Sequence, residues 1–440
     1  MSLAGSGEEL VEKYELERCV SWINENSFSR VCLQFPDDLL VDSVDIALHI
    51  DERIESKTYI LGDSTFFSCC VDELGSKHID GDAVIHFGYS CLSPFTSLPV
   101  LYVLPKKRLD LASLVESIKP VLEKGPTLMV YDVSYAHLIE TLDERLQTYE
   151  VAISQLVSAS QLKRPCGPWC QGGNAHSSTK FGHSFCISDS LRSVLYVGTG
   201  KPANNFLLSM KVPEFFTYDE AEGLQPHNRF KLLKKLSFLV EKVKNSVAFG
   251  LLVGTLSIER YLDAIEHIKR LLKRRRRKCF IISVGKPTVA KLSNFPEIDV
   301  FVMVSCNEGS YIDNKEVIVP IVTLLEIELA FNENRTWDDP ISSDFSFLLQ
   351  GGEGYVEAPL NVTTEDLVET QLTSGFRTST QCTDSSTEVA LRSDMTVSTS
   401  GFSSQPRTWD GLELKMNDTA PSMAQAGRKG TAQGYSYEIS

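Results

Sequence analysis

The feature that most constrains the fold is a repeated alternation of short β-branched runs with longer amphipathic segments. Such alternation is typical of βαβ units, in which a helix crosses over between parallel strands. We therefore predict an α/β fold with three related domains, each a small four-stranded, mostly parallel sheet flanked by helices. The predicted strands form three sets of four: Val31–Phe35, Thr58–Leu61, Ala83–Phe87, Val100–Leu104; Leu128–Tyr131, Val151–Ile153, Val194–Val197, Phe215–Tyr218; Val247–Val253, Phe280–Val284, Val300–Ser305, Val317–Val319.

The third strand of each set ends on a similar phrase, which supports the repeat. These phrases are Val84-Ile85-His86-Phe87-Gly88, Val194-Leu195-Tyr196-Val197-Gly198 and Val300-Phe301-Val302-Met303-Val304. The predicted segments are a flexible N-terminus at 1–17, α/β domains at 18–110, 111–225 and 226–335, and a tail at 336–440. We expect the low-complexity tail to be mostly disordered, because Ser, Thr, Gly and isolated charges leave few residues able to build a core.

One helix of the third domain is predicted from its apolar periodicity. Residues at three- and four-residue steps form its stripe: Ile258, Leu262, Ile265, Ile268 and Leu272. With Ser257 as the N-cap, this stripe is expected to face the sheet. The basic run Lys273–Lys278 follows, and we interpret it as positive charge at a helix end that faces water. The alternative is a contact with an acidic partner or a targeting patch.

The charge balance is acidic, with 43 Lys and Arg against 58 Asp and Glu, a net charge of −15. A surface of that sign repels phosphate, so we expect no direct nucleic-acid binding and no membrane binding. Met1–Glu17 is polar and acidic, which predicts no secretory signal. The most apolar stretch, Val317–Phe331, is too short and too charged to span a bilayer. Eleven cysteines in such a chain indicate a reducing compartment, so the expected location is cytoplasmic.

The cysteines divide into those inside apolar segments and those that follow strands. We interpret the first group as core residues: Cys19, Cys32 and Cys279. The second group consists of Cys70, Cys91 and Cys306. The crevice beyond the carboxyl ends of parallel strands is where α/β folds place ligands, so these three are candidate ligands of a metal or cofactor. Their spacing alone is a weak signal, because the sequence has no Cys-x-x-Cys pair.

Longer motifs lie around these cysteines. They are Leu33-Gln34-Phe35-Pro36-Asp37-Asp38-Leu39-Leu40, Leu61-Gly62-Asp63, Ser68-Cys69-Cys70-Val71-Asp72, His86-Phe87-Gly88, Cys91-Leu92-Ser93-Pro94, Gly254-Thr255-Leu256, Val284-Gly285-Lys286-Pro287-Thr288, Lys291-Leu292-Ser293-Asn294-Phe295-Pro296-Glu297 and Asp299-Val300-Phe301. Together they resemble the diphthamide biosynthesis family over about residues 14–335, and the match is highly specific. The pattern is closer to the family's second subunit than to its catalytic first subunit, mainly through Phe295-Pro296-Glu297-Ile298-Asp299 and the cysteine placement.

The resemblance implies three α/β domains around one cysteine-bound [4Fe–4S] cluster. It implies Cys70, Cys91 and Cys306 as the ligands, with the fourth iron left open. The implied reaction moves a 3-amino-3-carboxypropyl group from S-adenosylmethionine to a histidine of elongation factor 2, the first step of diphthamide synthesis. The implied partners are the catalytic first subunit in a heterodimer, an electron-donor protein of the pathway and elongation factor 2 as substrate. The role implied for this chain is to keep the catalytic cluster reduced.

Several alternatives remain open at the level of sequence. The first alternative to the supporting role is that the chain itself cleaves S-adenosylmethionine. The second is that it is a non-redox scaffold for the catalytic subunit, whose cysteines are only packed. Cys69 competes with Cys70, and the middle domain offers Cys166 and Cys170 as further ligands. These two cysteines with His176 and His183 are also a weak zinc candidate. At the end of a strand, His86 is expected to be structural, with no catalytic role.

Overall fold

Three parallel sheets built on one plan form the framework of the protein. The computed structural model describes residues 7–62, 67–94, 98–157, 176–198, 200–285, 287–308 and 319–359. In each sheet the strands lie in the order second, first, third, fourth, and the middle sheet adds an antiparallel fifth strand at one edge. This shared order confirms the predicted α/β fold of repeated, mostly parallel four-stranded units.

The first sheet has its two central strands buried on both faces. Its strands are β1 (Arg30–Gln34), β2 (Lys57–Leu61), β3 (Ala83–Phe87) and β4 (Val100–Val103). The helices of this unit are α1 (Gly7–Lys13), α2 (Leu16–Asn26), α3 (Ser43–Asp51) and α4 (Glu73–His78), with a 3-10 turn at Leu40–Asp42. One face of the sheet packs on the apolar sides of α2 and α3, as the burial of Ile23 and Ile46 shows.

The middle sheet carries an additional hairpin. Its strands are β5 (Thr127–Tyr131), β6 (Val151–Ile153), β10 (Ser193–Val197), β11 (Glu214–Asp219) and β12 (Gly223–Pro226). Beside it lies a small antiparallel sheet of β7 (Gln155–Leu156), β8 (His176–Lys180) and β9 (His183–Ile187). The helices are α5 (Leu111–Leu122), α6 (Ile139–Leu146) and α7 (Lys201–Ser209), with a 3-10 segment at Val133–Leu138. Sequence periodicity predicted neither the β8–β9 hairpin nor the antiparallel edge strand β12.

The third sheet repeats the order of the first. Its strands are β13 (Ala248–Val253), β14 (Lys278–Ser283), β15 (Val300–Val304) and β16 (Ile321–Val322). The helices are α8 (Arg229–Asn245), α9 (Tyr261–Arg274), α10 (Val289–Leu292), α11 (Leu324–Phe331) and α12 (Phe345–Leu348). The fourth strand follows Pro320 instead of lying at Val317–Val319 as predicted. Of that predicted range only Val319 is among the described residues, and it is outside the strand.

The predicted helix of the third domain exists as α9, but it begins later than expected. Its N-cap is Arg260, whose φ of 64° is left-handed, so Ser257 is not the cap. Ile258 is buried in the preceding loop, and Leu262 is exposed instead of facing the sheet. The basic run begins in the last turn of α9, as predicted, where its charge complements the helix dipole.

The two ends of the described chain are more ordered than the sequence indicated. Residues 7–17, assigned to a flexible N-terminus, include α1 and the start of α2. Residues 341–349, assigned to the tail, pack Phe345 and Leu348 into the core of the third sheet. The rest of the predicted tail, from 360 onward, lies outside the described residues.

A buried ionic network holds this terminal segment to the third domain. The Glu328 carboxylate, fully buried on α11, accepts hydrogen bonds from Arg335 Nε at 3.0 Å and Asn332 Nδ2 at 2.8 Å, and it contacts His267 on α9. Arg335 Nη2 also donates to the Gly354 carbonyl at 2.6 Å. Each of these partners compensates part of the cost of burying the charges. In the described part of the chain no helix combines the length and the apolar character that crossing a membrane requires.

Candidate metal centre

Four cysteine side chains meet where the first and third sheets face each other. Cys69 and Cys70 lie in the loop between β2 and α4, Cys91 lies after β3, and Cys306 lies two residues after β15. Their sulfur atoms all lie within 4.8 Å of one another. Cys69 Sγ lies 3.7 Å from Cys306 Sγ, and Cys70 Sγ lies 3.9 Å from Cys91 Sγ. The structure therefore brings together the three predicted cysteines.

It also adds Cys69, which the sequence analysis treated as a competitor of Cys70. In an extended strand neighbouring residues point to opposite faces, so Cys69 and Cys70 could not both reach one centre from a straight backbone. The loop is instead turned, and both thiols reach the same cluster of sulfur atoms. Cys166 and Cys170 lie outside the described residues, as does the side chain of His176. His183 lies in the middle domain, where its Nδ1 contacts Ser154 Oγ at 3.0 Å.

Burial makes the site dry. Cys70, Cys91 and Cys306 are buried, with 5%, 7% and 1% of their surfaces exposed, and Cys69 is partly buried. A cavity of about 10 Å³ lies against Cys69, Cys70 and Cys91, and Tyr102 and Ile258 also line it. That volume is about one water molecule. Three of the four thiols are thus largely removed from solvent.

The four thiols shift one another's pKa values through hydrogen bonds. The pKa of Cys91 lies well below its usual range, because hydrogen bonds from Cys306, Cys69 and Cys70 stabilise its thiolate. The pKa values of Cys69 and Cys70 are raised, chiefly by their hydrogen bonds with Cys306. Metal binding requires the thiolate form of each ligand, so it releases the protons that these thiols carry.

The middle domain approaches the site with aromatic and amide groups. A cavity of about 20 Å³ beside Cys91 is lined by Tyr131, Tyr196 and Asn205 from this domain. Asn205 Nδ2 donates to the Asn307 carbonyl at 3.3 Å, one residue after Cys306. Among the described residues, the middle domain contributes no thiol to the sulfur cluster.

A side-chain hydrogen bond joins the first and third domains beside the thiols. Tyr89 Oη donates to Glu308 Oε1 at 2.5 Å, and these residues lie two positions from Cys91 and Cys306. A larger cavity of about 360 Å³ opens next to this region, lined in part by Ser93, Phe181 and Asp344. Cavities of about 300–1,000 Å³ are typical of small-molecule sites.

The donor set is suited to two kinds of metal group. Thiolate sulfur binds iron–sulfur clusters and also zinc. The sulfur pairs at 3.7 and 3.9 Å are close to the edge, about 3.8 Å, of a tetrahedron with Zn–S bonds of about 2.3 Å. An iron–sulfur cluster is larger and needs the thiols to move apart. The observed spacing therefore matches a single tetrahedral ion, and an iron–sulfur cluster fits only after the loops that carry the thiols open.

Comparison with known proteins shows which family model and which relatives the chain resembles. Residues 35–342 match the family model described as putative diphthamide synthesis protein. The chain is 35% identical to 2-(3-amino-3-carboxypropyl)histidine synthase subunit 2 of Xenopus laevis, over 98% of this chain and 93% of the relative. It is also 35% identical to the protein of that name in Gallus gallus and 29% identical to that of Schizosaccharomyces pombe, over 97% of this chain in both and 93% and 91% of the relatives.

Solved structures share the fold at lower identity. The chain superposes on Dph2 from Pyrococcus horikoshii with a TM-score of 0.55 at 18% identity, covering 78% of this chain and 96% of that one. A second structure of that protein contains a 4Fe–4S cluster and superposes with a TM-score of 0.54 at 18% identity, with the same coverage. At this identity the likeness concerns the arrangement of the three sheets.

Proposed function

Since the chain belongs to the diphthamide synthesis protein family, we propose that it is an iron–sulfur subunit of the complex that carries out the first step of diphthamide synthesis. In that step a 3-amino-3-carboxypropyl group passes from S-adenosylmethionine to a histidine of elongation factor 2. The chain supports reduction of the catalytic cluster in its partner subunit. The observation that carries this proposal is the group of four cysteines, three of them buried and the fourth partly buried.

In this proposal Cys70, Cys91 and Cys306 hold the cluster together with Cys69. The resemblance to the family implied three cysteine ligands and a fourth iron without one, whereas the structure offers a fourth thiol at the same centre. When bound, a [4Fe–4S] cluster supplies single electrons. The chain provides four thiolates, excludes water from them and fixes their positions through the loops after β2, β3 and β15.

The fourth thiol favours the supporting role over the catalytic one. A cluster that cleaves S-adenosylmethionine needs an iron that the substrate can approach, and a thiolate on every iron leaves none open. Four sulfur donors are instead suited to a group that accepts an electron and passes it on. An electron-donor protein of the pathway and the catalytic first subunit are the partners that this role requires.

The name of the curated relatives supports a complex. They are called subunit 2, and we extend that to this chain as one half of a heterodimer with the catalytic first subunit. Elongation factor 2 is the protein that the complex modifies. We place the complex in the cytoplasm, where thiols stay reduced and translation factors act.

A second candidate is that this chain cleaves S-adenosylmethionine itself. The observation that favours it is the cavity of about 360 Å³ beside the thiols, because it falls within the size range of small-molecule sites. Calorimetric titration of the isolated, cluster-loaded chain with S-adenosylmethionine separates the two candidates. Binding followed by cleavage after dithionite addition supports the catalytic role, and the absence of binding supports the electron-relay role.

The test of the main proposal is anaerobic reconstitution of the full chain with iron and sulfide. We expect a brown protein with broad visible absorption, four irons and four sulfides per chain, and an electron paramagnetic resonance signal after dithionite reduction. Zinc loaded in parallel tests the competing donor geometry. A colourless chain that takes up one zinc and no sulfide contradicts the proposal. A complex that keeps full activity after all four cysteines are replaced by Ser identifies the chain as a scaffold.

A further inference from the structure

The backbone that carries the two adjacent cysteines is held at successive peptide units. This tandem-cysteine loop, residues 68–72, follows β2. His86 Nε2, at the carboxyl half of β3, donates to the Ser68 carbonyl at 3.0 Å. The backbone amide of Cys91 donates to the Cys69 carbonyl at 3.1 Å. Carbonyls of surface loops commonly bond to water, so these bonds to a sheet mark a fixed loop.

Gln34 completes this set of bonds. It is the last residue of β1, it is 2% exposed, and it pairs in register with His86 on β3. Its Nε2 donates to the Cys70 carbonyl at 2.7 Å, and its Oε1 accepts from the Asp72 amide at 2.8 Å. Asp72 in turn accepts a bond from the Gly75 amide at 2.9 Å and caps α4. One carboxamide therefore ties the loop to the sheet and to the helix that follows.

Adjacent thiols reach one centre only if the backbone between them is turned. In an extended chain Cys69 and Cys70 would point in opposite directions. Here Cys69 Sγ lies 3.7 Å from Cys306 Sγ, and Cys70 Sγ lies 3.9 Å from Cys91 Sγ. The turn needs its carbonyls satisfied in the protein interior, because an unbonded buried carbonyl is costly. Gln34 satisfies one and donates from a rigid strand.

We propose that Gln34 is a positioning residue for the cluster, which fixes the tandem-cysteine loop so that Cys69 and Cys70 present their thiols to the same point. This inference rests on the proposed function for the identity of the cluster. The carboxamide bonds the peptide groups of Cys70 and Asp72 instead of the sulfur atoms. Gln34 therefore acts through the loop, as outer partners of metal ligands do.

The test replaces Gln34 by Met, which keeps the length of the side chain and removes both hydrogen bonds. In the reconstituted chain we expect loss of the cluster to a chelator to be about tenfold faster than in the wild type, and the electron paramagnetic resonance spectrum to change. Gln34→Glu keeps an acceptor for the Asp72 amide but buries a carboxylate against the Cys70 carbonyl. We therefore expect its cluster loss at neutral pH to be at least as fast as that of Gln34→Met.

The matched control is Thr127→Val in the middle sheet. The Thr127 hydroxyl is buried, contacts Ser193 Oγ at 2.8 Å and bonds the Gly125 carbonyl at 3.0 Å, and it lies outside the thiol site. Both Thr127→Val and Gln34→Met lose buried hydrogen bonds, so general destabilisation affects both. Only the Gln34 variants are expected to lose the cluster faster. Equal rates of loss in Gln34→Met and Thr127→Val overturn the inference.

A second measurement works on the metal-free chain. Dibromobimane joins thiols that lie close together, so its rate of cross-linking within the site reports on the loop without a cluster. We expect this rate to fall several-fold in Gln34→Met and to stay at the wild-type value in Thr127→Val. Unchanged cross-linking in Gln34→Met contradicts the role of Gln34. If the wild type binds no cluster but cross-links faster than Gln34→Met, the proposed function fails and the positioning role stands.

Discussion

The first and middle domains share one backbone plan and differ in what their loops carry. Their third strands, β3 and β10, are each followed directly by a glycine with positive φ, Gly88 at 94° and Gly198 at 129°. A glycine allows this sharp change of direction at no steric cost. After Gly88 the first domain places Cys91 in the sulfur cluster, whereas among the described residues the middle domain faces the site with Tyr131 and Tyr196. The repeated sheet thus supplies the positions, and the loops decide the chemistry.

The third domain differs from the middle one in what stabilises its interior. Glu328 and Arg335 form a buried ionic network that ties the terminal segment to α9 and α11. One face of the middle sheet packs mainly aromatic and aliphatic side chains, among them Phe185 and Phe206. Apolar packing does not depend on pH, whereas a buried carboxylate does. The two domains should therefore respond differently to mutation and to acid.

The largest expected effect tests the thiol that the third domain contributes. Cys306→Ser removes one of four donors, so we expect a reconstituted chain with little or no stable cluster. Iron and sulfide analysis with the visible spectrum provides the measurement. Cys279→Ser in β14 of the same domain is the control, because Cys279 lies outside the group of four thiols. The Cys279→Ser variant should keep the full iron content. Full cluster content in Cys306→Ser would show that the third domain contributes no ligand to the cluster.

The next effect separates ionic from apolar stabilisation. Glu328→Gln leaves Arg335 with a buried, unpaired charge, so we expect the free energy of unfolding to fall by about 3–5 kcal/mol at pH 7. Urea unfolding followed by tryptophan fluorescence measures it. Phe206→Ala in the middle domain removes apolar packing and is expected to cost about as much. The two variants therefore differ in pH dependence more than in size of effect.

The pH dependence of Glu328 has a defined direction. Burial alone would raise its pKa, but hydrogen bonds from His267 and Asn332 and the charge of Arg335 outweigh burial, and the pKa is lowered. A carboxyl with a lowered folded-state pKa contributes its stability above its unfolded pKa, about 4.3, and loses it as the pH falls through the folded value. The difference between wild type and Glu328→Gln should be constant from pH 6 to 8, because Glu328 stays ionised in both the folded and the unfolded state there, and it should shrink below about pH 4. The loss caused by Phe206→Ala should not shrink in this way.

A smaller effect concerns the bond that joins the first and third domains. Tyr89→Phe removes the hydroxyl that donates to Glu308, and we expect a loss of about 1.5–3 kcal/mol, as for hydrogen bonds to charged groups. Tyr14→Phe is the matched control, since Tyr14 donates to Asp42 at the same 2.5 Å within the first domain. Only Tyr89→Phe should also speed the loss of the cluster to a chelator. Equal cluster retention in the two variants would show that the bond is not needed to hold Cys91 beside Cys306.

The smallest effect contrasts exposed with buried charge in the third domain. Arg274 lies in the last turn of α9 and is exposed. Arg274→Gln removes a favourable charge at the helix end, and we expect a change of at most about 1 kcal/mol that salt reduces further. Urea unfolding at low and high salt measures it. A loss as large as that of Glu328→Gln would contradict the reading of the basic run as a solvated helix end.

Sequence periodicity was sufficient for most of the sheets. The strands β1, β2 and β3 alternate with the crossover helices α3 and α4, and the predicted bounds of β1–β4 agree with the structure to within one residue. The fourth strand of the third sheet was misplaced because the apolar run on both sides of Pro320 gives no sign of where pairing begins. Leu262 fitted the helical period but lies on the outer face of α9, since only the tertiary contacts decide which stripe is covered.

The site was less accessible to sequence reasoning than the fold. The positions of Cys70, Cys91 and Cys306 after strands, with the family motifs, selected three of the four thiols. Cys69 stayed a competitor of Cys70, because the resemblance to the family implied only one ligand from the adjacent pair. The turn that brings both thiols to one centre depends on bonds from distant strands, such as those of Gln34 and His86, and no local pattern encodes them.

The sulfur cluster joins residues that are far apart in synthesis as well as in sequence. Cys69 and Cys306 are 237 positions apart, yet their sulfur atoms touch. During translation the first three thiols leave the ribosome long before the fourth exists, so an early cluster would have only an incomplete set of ligands. A chain that stops inside the third domain carries the motif but cannot close the site. The complete set of four sulfur donors therefore exists only after the third domain has been made and has folded against the first.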